Sequence, residues 1–427
     1  MSVYLKRNFL LTYLAQFISW FGSKLLMISY VAFIFKETSN ATSSALVFAI
    51  DWGTNLVVGL FVTQWIDNKN AKYLIVWLNV AAACVTLVFL GFTDPSWYAA
   101  AIVIIFFRGL LNSAVNAARI KALVQLFSKE ETDLYSPVFS SSQPVAVGLS
   151  GAVGIVILNY TSFAGVIVIN SLTFLVAAVL MMFTRPNEER LRESIAQGNP
   201  GESKLAGIKR AFSIIANKEQ IASAVFYIIL AVTTFQATYE LLISVIPEVW
   251  FGWGPSGTAM FFLIESIAAV VGLFGYQYFN RRGHFTDVNH RKVALTIILG
   301  ASVMYAALPA TQNSLVVCAA FFTVVVMLGT ALWTHQFKMM IAKSPEEKIA
   351  SVVGAQTAMG YSLMGVFALI FSLGLNGLGP SPTVWINVAC GGLLVLGWEY
   401  VARRIKEKER RLAATTDGAP LERTTVS

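Results

Sequence analysis

Long apolar segments alternate with short polar intervals along the chain, apart from one long polar interval at residues 185–218. Six apolar segments precede this interval, at about residues 8–35, 43–66, 73–92, 97–120, 135–158 and 162–184. Six more follow it, at about residues 219–246, 255–279, 293–311, 314–337, 350–376 and 381–402. Each segment can cross a hydrocarbon core of about 30 Å as an α-helix that rises about 1.5 Å per residue. The pattern therefore predicts an all-α integral membrane protein with twelve transmembrane helices in two six-helix halves.

The same pattern divides the chain into four regions. Residues 1–184 form an N-terminal six-helix half, 185–218 a cytoplasmic linker, 219–404 a C-terminal six-helix half, and 405–427 a cytoplasmic tail. We expect the tail to be disordered because residues 413–427 lack apolar periodicity. The first apolar segment is much longer than the h-region of about 7–15 residues in a cleavable signal peptide. We therefore expect it to remain in the mature protein.

Composition and charge restrict the class of protein further. Hydrophobic residues make up 56% of the chain and charged residues 13%, whereas a soluble domain carries about 25% charged residues. This composition excludes an ordinary soluble fold. Most basic residues lie in alternate polar intervals and near the two termini, and Lys36 is the only basic residue of the opposite intervals. By the positive-inside rule, this asymmetry predicts that both termini are cytoplasmic, and it accounts for the net charge of +8 without a nucleic-acid partner.

The two halves share short sequence matches at a nearly constant offset. The matches are Gly59-Leu60-Phe61 with Gly272-Leu273-Phe274, Lys121 with Lys338, and Gly148 with Gly365, at offsets of 213 and 217 residues. Weak internal symmetry of this kind is typical of secondary transporters built from two duplicated halves. Chance similarity between two apolar stretches is the alternative, but the matches occupy equivalent positions relative to the predicted helices. This agreement favours two pseudo-symmetric halves.

Polar residues form a stripe along the fourth apolar segment. Arg108 lies near its middle, where inserting a charge costs roughly 2.5–3.5 kcal/mol, so that such a residue normally faces a cavity or a partner. Asn112, Asn116 and Arg119 follow at spacings that place all four residues on one helical face. We predict that Arg108, Asn112 and Asn116 bind substrate and that Arg119 extends to water at the cytoplasmic end. Hydrogen bonding between helices is the alternative role of the two asparagines.

A second group of polar residues connects the first two apolar segments. Lys24 and Asp51 lie at similar depths on these segments, and Trp20 lies one helical turn before Lys24. We predict that Lys24 and Trp20 contact substrate and that Asp51 takes part in proton coupling. Protonation of Asp51 would release Lys24 and change the charge offered to substrate. A static ion pair between Lys24 and Asp51 is the alternative.

The second half contributes two acidic residues inside apolar segments. Glu265 lies near the middle of its segment, and Glu240 lies nearer to a segment end, beside Tyr239. We predict that Glu265 and Glu240 take part in proton coupling and that Tyr239 contacts substrate. The sequence contains no Walker motif, no Gly-x-Ser-x-Gly motif and no cluster of metal ligands. We therefore expect no enzymatic activity, no metal and no cofactor, and a proton gradient as the source of energy.

The polar turn after the second apolar segment resembles a family motif. Asp67 and Lys72 match the acidic residue and the final lysine of Gly-x-Leu-Ala-Asp-Arg-x-Gly-Arg-Lys, a loop sequence of the major facilitator superfamily, although its two glycines and two arginines are replaced by Thr63, Asn68, Asn70 and Ala71. The corresponding turn of the second half carries Arg281 and Arg282. The resemblance implies the major facilitator fold. It also implies that these four residues belong to a gating loop that holds the halves together in the outward-facing state.

The stretch of residues 108–131 is similar to the fourth-span signature of enterobactin-type siderophore exporters and macrolide efflux proteins within that superfamily. This resemblance implies a monomeric secondary transporter that works by alternating access in the lipid bilayer of the bacterial inner membrane. It further implies proton-coupled export of a small anionic metabolite such as a siderophore, which positively charged Lys24 and Arg108 would suit. Multidrug or macrolide efflux by proton antiport is the alternative.

Overall fold

Helices account for most of the chain that the structure describes. The computed structural model describes residues 3–58, 62, 66, 69–127, 129–185, 191, 212–283, 290–344 and 349–417. Within these ranges, twelve long helical rods pack side by side, which confirms the predicted all-α membrane architecture. Ten helices of this part are apolar and long enough to cross a membrane, judged by length and composition.

The first half contains six helical rods. They are α1 (Val3–Thr38), α2 (Ala41–Val57), α3 (Ala71–Val88), α4 (Tyr98–Leu126), α5 (Lys129–Tyr160) and α6 (Phe163–Met182). Short 3₁₀ turns at Phe89–Phe92 and Pro95–Trp97 lie between α3 and α4. Polar side chains cap several of the helix starts. For example, the side chain of Asn40 accepts hydrogen bonds from the first backbone N–H groups of α2.

The second half also contains six rods, the first of which is made of two helices. The helices are α7 (Glu219–Leu230), α8 (Ala237–Phe251), α9 (Gly254–Arg281), α10 (His290–Ala307), α11 (Leu315–Lys343), α12 (Ile349–Leu378) and α13 (Pro380–Asp417). A π-helical turn at Ala231–Gln236 joins α7 to α8 without breaking the rod. Gly252 then ends α8 with a φ of 65°, a left-handed conformation that favours glycine.

The rods α2 and α5 are absent from the ten long apolar helices of the described part. In the described part of the chain, α2 has 17 residues and the apolar stretch found in α5 is Val145–Ile157. Both helices lie between the two halves, where α2 packs against α12 and α5 packs against α9.

The structure corrects the prediction for the C-terminal tail. We expected residues 405–427 to be disordered, but α13 continues as an α-helix to Asp417. The end of this helix is rich in Lys, Arg, Glu, Leu and Ala, which have high helix propensity and need no apolar face to remain helical. Residues 418–427 lie outside the described residues, as does most of the linker at 185–218 except for a short helical segment at 212–217.

The helix ends define two faces of the bundle. We name the face that contains the starts of α1, α3 and α7 the terminal face, because the described chain begins and ends on this side. We name the opposite face the distal face; it contains the turns at residues 38–41, 92–98, 160–163, 251–254, 311–315 and 378–380. These names carry no assumption about the two sides of the membrane.

Glycines at matching sequence positions make matching contacts between the halves. Gly148 of α5 lies against Ser266 of α9, and Gly365 of α12 lies against Ala49 of α2. Because neither glycine has a side chain, the helix pairs approach closely. The two interfaces between the halves are therefore related by the pseudo-symmetry that the sequence predicts.

Two lysines at matching positions also make equivalent contacts near the terminal face. The Nζ atom of Lys121 in α4 donates to the backbone oxygen of Ile66 at 3.1 Å. The Nζ atom of Lys338 in α11 donates to Oδ1 of Asn280 at 3.1 Å. In each half, a lysine of the fourth rod thus bonds to a residue that lies at or after the end of the second rod.

Candidate functional site

A central cavity of about 730 Å³ lies between the two halves. Both halves contribute to its walls. The first half supplies Gln16, Trp20, Lys24, Asp51, Asn112, Asn116 and Arg119, and the second half supplies Gln236, Tyr239, Glu240, Glu265, Trp333, Gln356 and Tyr361, among others. Its volume lies within the range of roughly 300–1,000 Å³ that is usual for small-molecule sites. The sequence-predicted substrate residues on α1, α4 and α8, apart from Arg108, are thus brought together around one cavity.

The cavity is closed towards the distal face. Asn376 of α12 donates from Nδ2 to Oδ1 of Asn40 at 2.8 Å and to Oγ1 of Thr42 at 2.7 Å. Its Oδ1 atom accepts a hydrogen bond from the backbone nitrogen of Ala41 at 2.9 Å. We name this group of four residues the distal latch. It fastens the start of α2 in the first half to the end of α12 in the second half.

Towards the terminal face the cavity is open. Its wall includes Ile120 and Leu123, which lie in the last two turns of α4. The side chain of Ile120 is 70% exposed. Together with the distal latch, this mouth defines a conformation in which the cavity is accessible from the terminal face.

Arg119 is buried in the wall of the cavity. Its side chain is 5% exposed, and Nη1 donates to Oδ1 of Asn116 at 3.0 Å. Its Nη2 atom has no hydrogen-bond partner within the described part of the chain. The prediction that Arg119 extends to water at the helix end is wrong, because the guanidinium group lies inside the bundle on the same helical face as Asn116.

Arg108 lies outside the central cavity. Its side chain is 2% exposed, and Nη2 donates to the backbone oxygen of Ser23 in α1 at 3.0 Å. It lines a separate pocket of about 10 Å³, together with Lys24, Asp51 and Asn112. Since these three residues also line the central cavity, Arg108 stands behind the cavity wall and contacts α1 rather than the cavity itself.

Lys24 and Asp51 both face the cavity and are half-buried. Among the described residues, no contact within 4 Å joins the Lys24 ammonium group to the Asp51 carboxylate, so the static ion pair considered as an alternative is not formed in this conformation. The Nζ atom of Lys24 lies 5.9 Å from the centroid of the Trp20 ring. This is a distance at which an ammonium group is attracted by the face of an indole.

The acidic residues of the second half lie opposite Lys24. Glu240 is 8% exposed, and its Oε1 atom accepts a hydrogen bond from Nε2 of Gln236 at 2.9 Å. Glu265 lies in the same wall, within electrostatic reach of Glu240 and Lys24. Tyr239 is 6% exposed and also lines the cavity. The inner end of the cavity therefore combines acidic and basic groups with an aromatic side chain.

Several residues of the second wall were not predicted from the sequence. The π-helical turn contributes Ala231, Val232 and Gln236 to the cavity, and π-helical turns are often found at functional sites. Gln356 and Thr357 of α12 also line it. A glutamine or threonine inside an apolar segment is a weak signal in the sequence, because such residues often bond to a neighbouring helix instead.

The predicted gating loop is described only in part. Asp67 lies outside the described residues, as does the side chain of Arg281. The Nζ atom of Lys72 donates to the backbone oxygen of Thr184 at 2.7 Å, which ties the start of α3 to the end of α6. Arg282 is exposed, and its guanidinium carbon lies 4.3 Å from the centroid of the Tyr278 ring. In this conformation the described contacts of Lys72 and Arg282 remain within their own halves.

Two six-helix halves around a cavity that opens at one face define a membrane transporter. The sequence profile of the Major Facilitator Superfamily matches residues 12–369, and the chain belongs to that superfamily. The protein is therefore a multi-pass membrane transporter of a small-molecule substrate. No curated protein sequence matches the chain significantly.

Solved structures with the same fold cover nearly the whole chain. The nucleoside transporter NupG is 12% identical with a TM-score of 0.67, over 93% of this chain and 99% of that one. A bacterial homologue of the human lysosomal transporter Spinster, inward-facing and unoccupied, is 12% identical with a TM-score of 0.68, over 96% and 99%. The xylose transporter XylE from E. coli, partially occluded and inward open, is 12% identical with a TM-score of 0.64, over 94% and 98%. At these identities the similarity establishes the fold alone.

Proposed function

We propose that this protein exports a small organic solute across the bacterial inner membrane in exchange for protons. The observation that carries the proposal is the cavity between the halves, closed at the distal latch and open at the terminal face. Loops at the terminal face are rich in lysine and arginine, so the positive-inside rule favours a cytoplasmic terminal face. With that orientation, the cavity would be open to the cytoplasm, where an exported solute is loaded.

Proton coupling is supported by the acidic residues at the inner end of the cavity. Asp51, Glu240 and Glu265 contribute three carboxyl groups, and no groups of three or more metal-ligating residues occur in the described part of the chain. Ionisable residues inside a membrane segment normally serve a substrate pathway or a proton relay. We propose that Glu265 and Glu240 bind protons that enter from the distal face and release them towards the terminal face.

The two candidate substrate classes differ in charge. An anionic metabolite such as a siderophore remains our first candidate, and Lys24 and Arg119 are the cationic residues in the cavity wall. Arg108 does not supply this charge directly, because it lies behind the wall. Multidrug efflux is the second candidate, favoured by Trp333 and Tyr361 together with Glu240 and Glu265 in the same wall.

The direction of transport can be measured in the natural host. Spent medium and cell extracts from iron-starved cells with and without this protein would be compared by mass spectrometry. We expect a solute that disappears from the medium and accumulates in the cells when the protein is absent. Unchanged secretion combined with new sensitivity to macrolides or cationic dyes would reject the siderophore and support drug efflux.

Proton coupling can be measured in everted membrane vesicles that contain the protein. Addition of the exported solute should dissipate a preformed pH gradient, monitored with acridine orange. We expect the double substitution Glu240→Gln and Glu265→Gln to abolish this signal, while Glu37→Gln, which alters an exposed carboxylate at the distal face, preserves it. Solute movement that persists at the same rate after a protonophore is added would contradict proton coupling.

A further inference from the structure

Building on the proposed transport function, we infer that the cavity binds solutes that carry both a cationic and an anionic group. The cationic group would lie between Glu240 and Glu265 at the inner end of the cavity. The anionic group would lie at Arg119 near the mouth. The inference thus narrows the proposed anionic metabolite to one that also carries a cationic group: a zwitterion, or an amphoteric compound with an apolar middle, bound in a defined orientation.

The first observation is the unequal distribution of charge along the cavity. Among the described residues, the ionisable acidic and basic members of the wall are Lys24, Asp51, Arg119, Glu240 and Glu265. Three carboxyl groups and one ammonium group lie at the inner end, whereas Arg119 lies near the mouth beside Ile120. The inner end therefore attracts a cation, and the wall near the mouth attracts an anion.

The second observation is the separation of the two regions along the bundle. Glu265 is 11 residues from the distal start of α9, and Arg119 is 21 residues from the distal start of α4. At about 1.5 Å per residue, the two backbone positions differ in depth by about 15 Å. Long side chains shorten the distance between the charged groups. A solute with its two charges at opposite ends of a rigid core can reach both.

The third observation is that the Arg119 guanidinium group has unused donor capacity. Its side chain is 5% exposed, Nη1 is satisfied by Asn116, and Nη2 has no hydrogen-bond partner in the described chain. A buried donor without a partner is costly, and a guanidinium group pairs especially well with planar anions such as carboxylates. An anionic group of the solute would supply this partner.

Aromatic side chains account for the apolar middle of the solute. Trp20 belongs to the first wall, and Trp333 and Tyr361 belong to the second. Aromatic rings in a cavity stack well on flat apolar groups. We therefore expect an aromatic core to be preferred over a flexible chain of similar length.

A set of matched probes tests the inference on the full-length protein in lipid nanodiscs. The zwitterionic probe is a biphenyl with an aminomethyl group at one end and a carboxylate at the other. Its methyl ester keeps only the cation, and its N-acetyl derivative keeps only the anion. Calorimetry without a proton gradient should show that the zwitterion binds at least about tenfold more tightly than either derivative.

Variants assign each charge of the probe to its residue. Arg119→Gln should remove the preference for the zwitterion over the methyl ester and leave the affinity for the ester unchanged. Glu240→Gln combined with Glu265→Gln should remove the preference over the N-acetyl derivative. Arg119→Lys should retain part of the preference over the methyl ester, and Arg403→Gln, at an exposed arginine of α13 outside the cavity lining, should retain both preferences.

The possible outcomes separate this inference from the transport proposal. Equal affinity for the three probes, no binding of the zwitterion, or a uniform loss of affinity in Arg119→Gln would overturn the inference. Because the binding assay uses no gradient, failure of proton coupling in everted vesicles would leave the binding pattern intact. Conversely, proton-coupled export of a solute with a single charge would support the transport proposal and contradict the inferred preference for a zwitterion.

Discussion

At the residue scale, Arg108 and Arg119 share one face of α4 but have different surroundings. Arg119 lines the cavity and keeps one donor atom without a partner in the described chain. Arg108 donates to the backbone of α1 at Ser23, the residue before Lys24. A guanidinium bond to this backbone oxygen fixes the height and rotation of α1. We therefore propose that Arg119 binds substrate and that Arg108 positions Lys24.

These roles predict different effects of substitution. Arg108→Gln should weaken binding of the biphenyl zwitterion and of its methyl ester by similar factors, because it disturbs Lys24 and the inner end of the cavity rather than one contact. It should also lower the thermal unfolding temperature, since a buried charged hydrogen bond is lost. Calorimetry with both probes provides the comparison. A selective loss of zwitterion binding, as expected for Arg119→Gln, would place Arg108 at the anionic group instead.

Residue spacing predicted part of the site. The spacing from Arg108 to Arg119 identified one polar face of α4. The similar depths of Lys24 and Asp51 along α1 and α2 predicted that these two residues lie close together. Spacing within one helix could not show which end of that face reaches the cavity. The position of the cavity wall depends on how the two halves pack against each other. Gln236 was missed for a related reason. Its orientation depends on a π-helical turn, and no periodicity of 3.6 residues reveals such a turn.

At the element scale, the contact between α5 and α9 depends on glycine. A Cβ atom at Gly151 would lie 2.6 Å from the backbone nitrogen of Leu263 and 2.8 Å from the backbone oxygen of Ala259. Both contacts involve the backbone, so the helices would have to separate to admit a methyl group. Helices α5 and α9 belong to different halves, and this contact lies in their distal parts. Gly151 therefore permits the closure of the distal face.

A single methyl group at this position should disfavour the closed distal face. Overpacking of this kind costs about 1–3 kcal/mol, which is enough to change the balance of two conformations by about fivefold to a hundredfold. We expect Gly151→Ala to widen the distance between spin labels at Ser96 and Asn313, two exposed residues of the distal face. The measurement is double electron–electron resonance after replacement of the native cysteines by serine.

The matched control for this substitution is Gly53→Ala. Gly53 is another helical glycine of the first half, but a Cβ atom there would have no neighbour within 4 Å. The label distances in this variant should equal those of the parent protein. If Gly151→Ala leaves the distribution unchanged as well, then the α5–α9 contact does not control the distal face.

At the scale of the whole molecule, two halves of similar architecture enclose one cavity and meet through a hydrogen-bonded latch at one end. The hydropathy pattern and the sequence matches between halves predicted this arrangement well, because both depend on features that repeat along the chain. The closed end was not predicted. It depends on Asn40 and Asn376, which bond to each other across the two halves. Both are polar residues in turns or near helix ends, and nothing in their sequence positions predicts this contact.

Alternating access requires that the two faces open in opposition, and the distal latch offers a direct way to test this. Asn376→Ala removes three hydrogen bonds between the halves, each worth about 0.5–1.5 kcal/mol. Double electron–electron resonance would follow the distal pair at Ser96 and Asn313 and a terminal pair at the exposed residues Lys69 and Arg282. We predict that Asn376→Ala lengthens the distal distance and shortens the terminal distance in the same sample. Widening at the distal face with no change at the terminal face would contradict alternating access by the two halves.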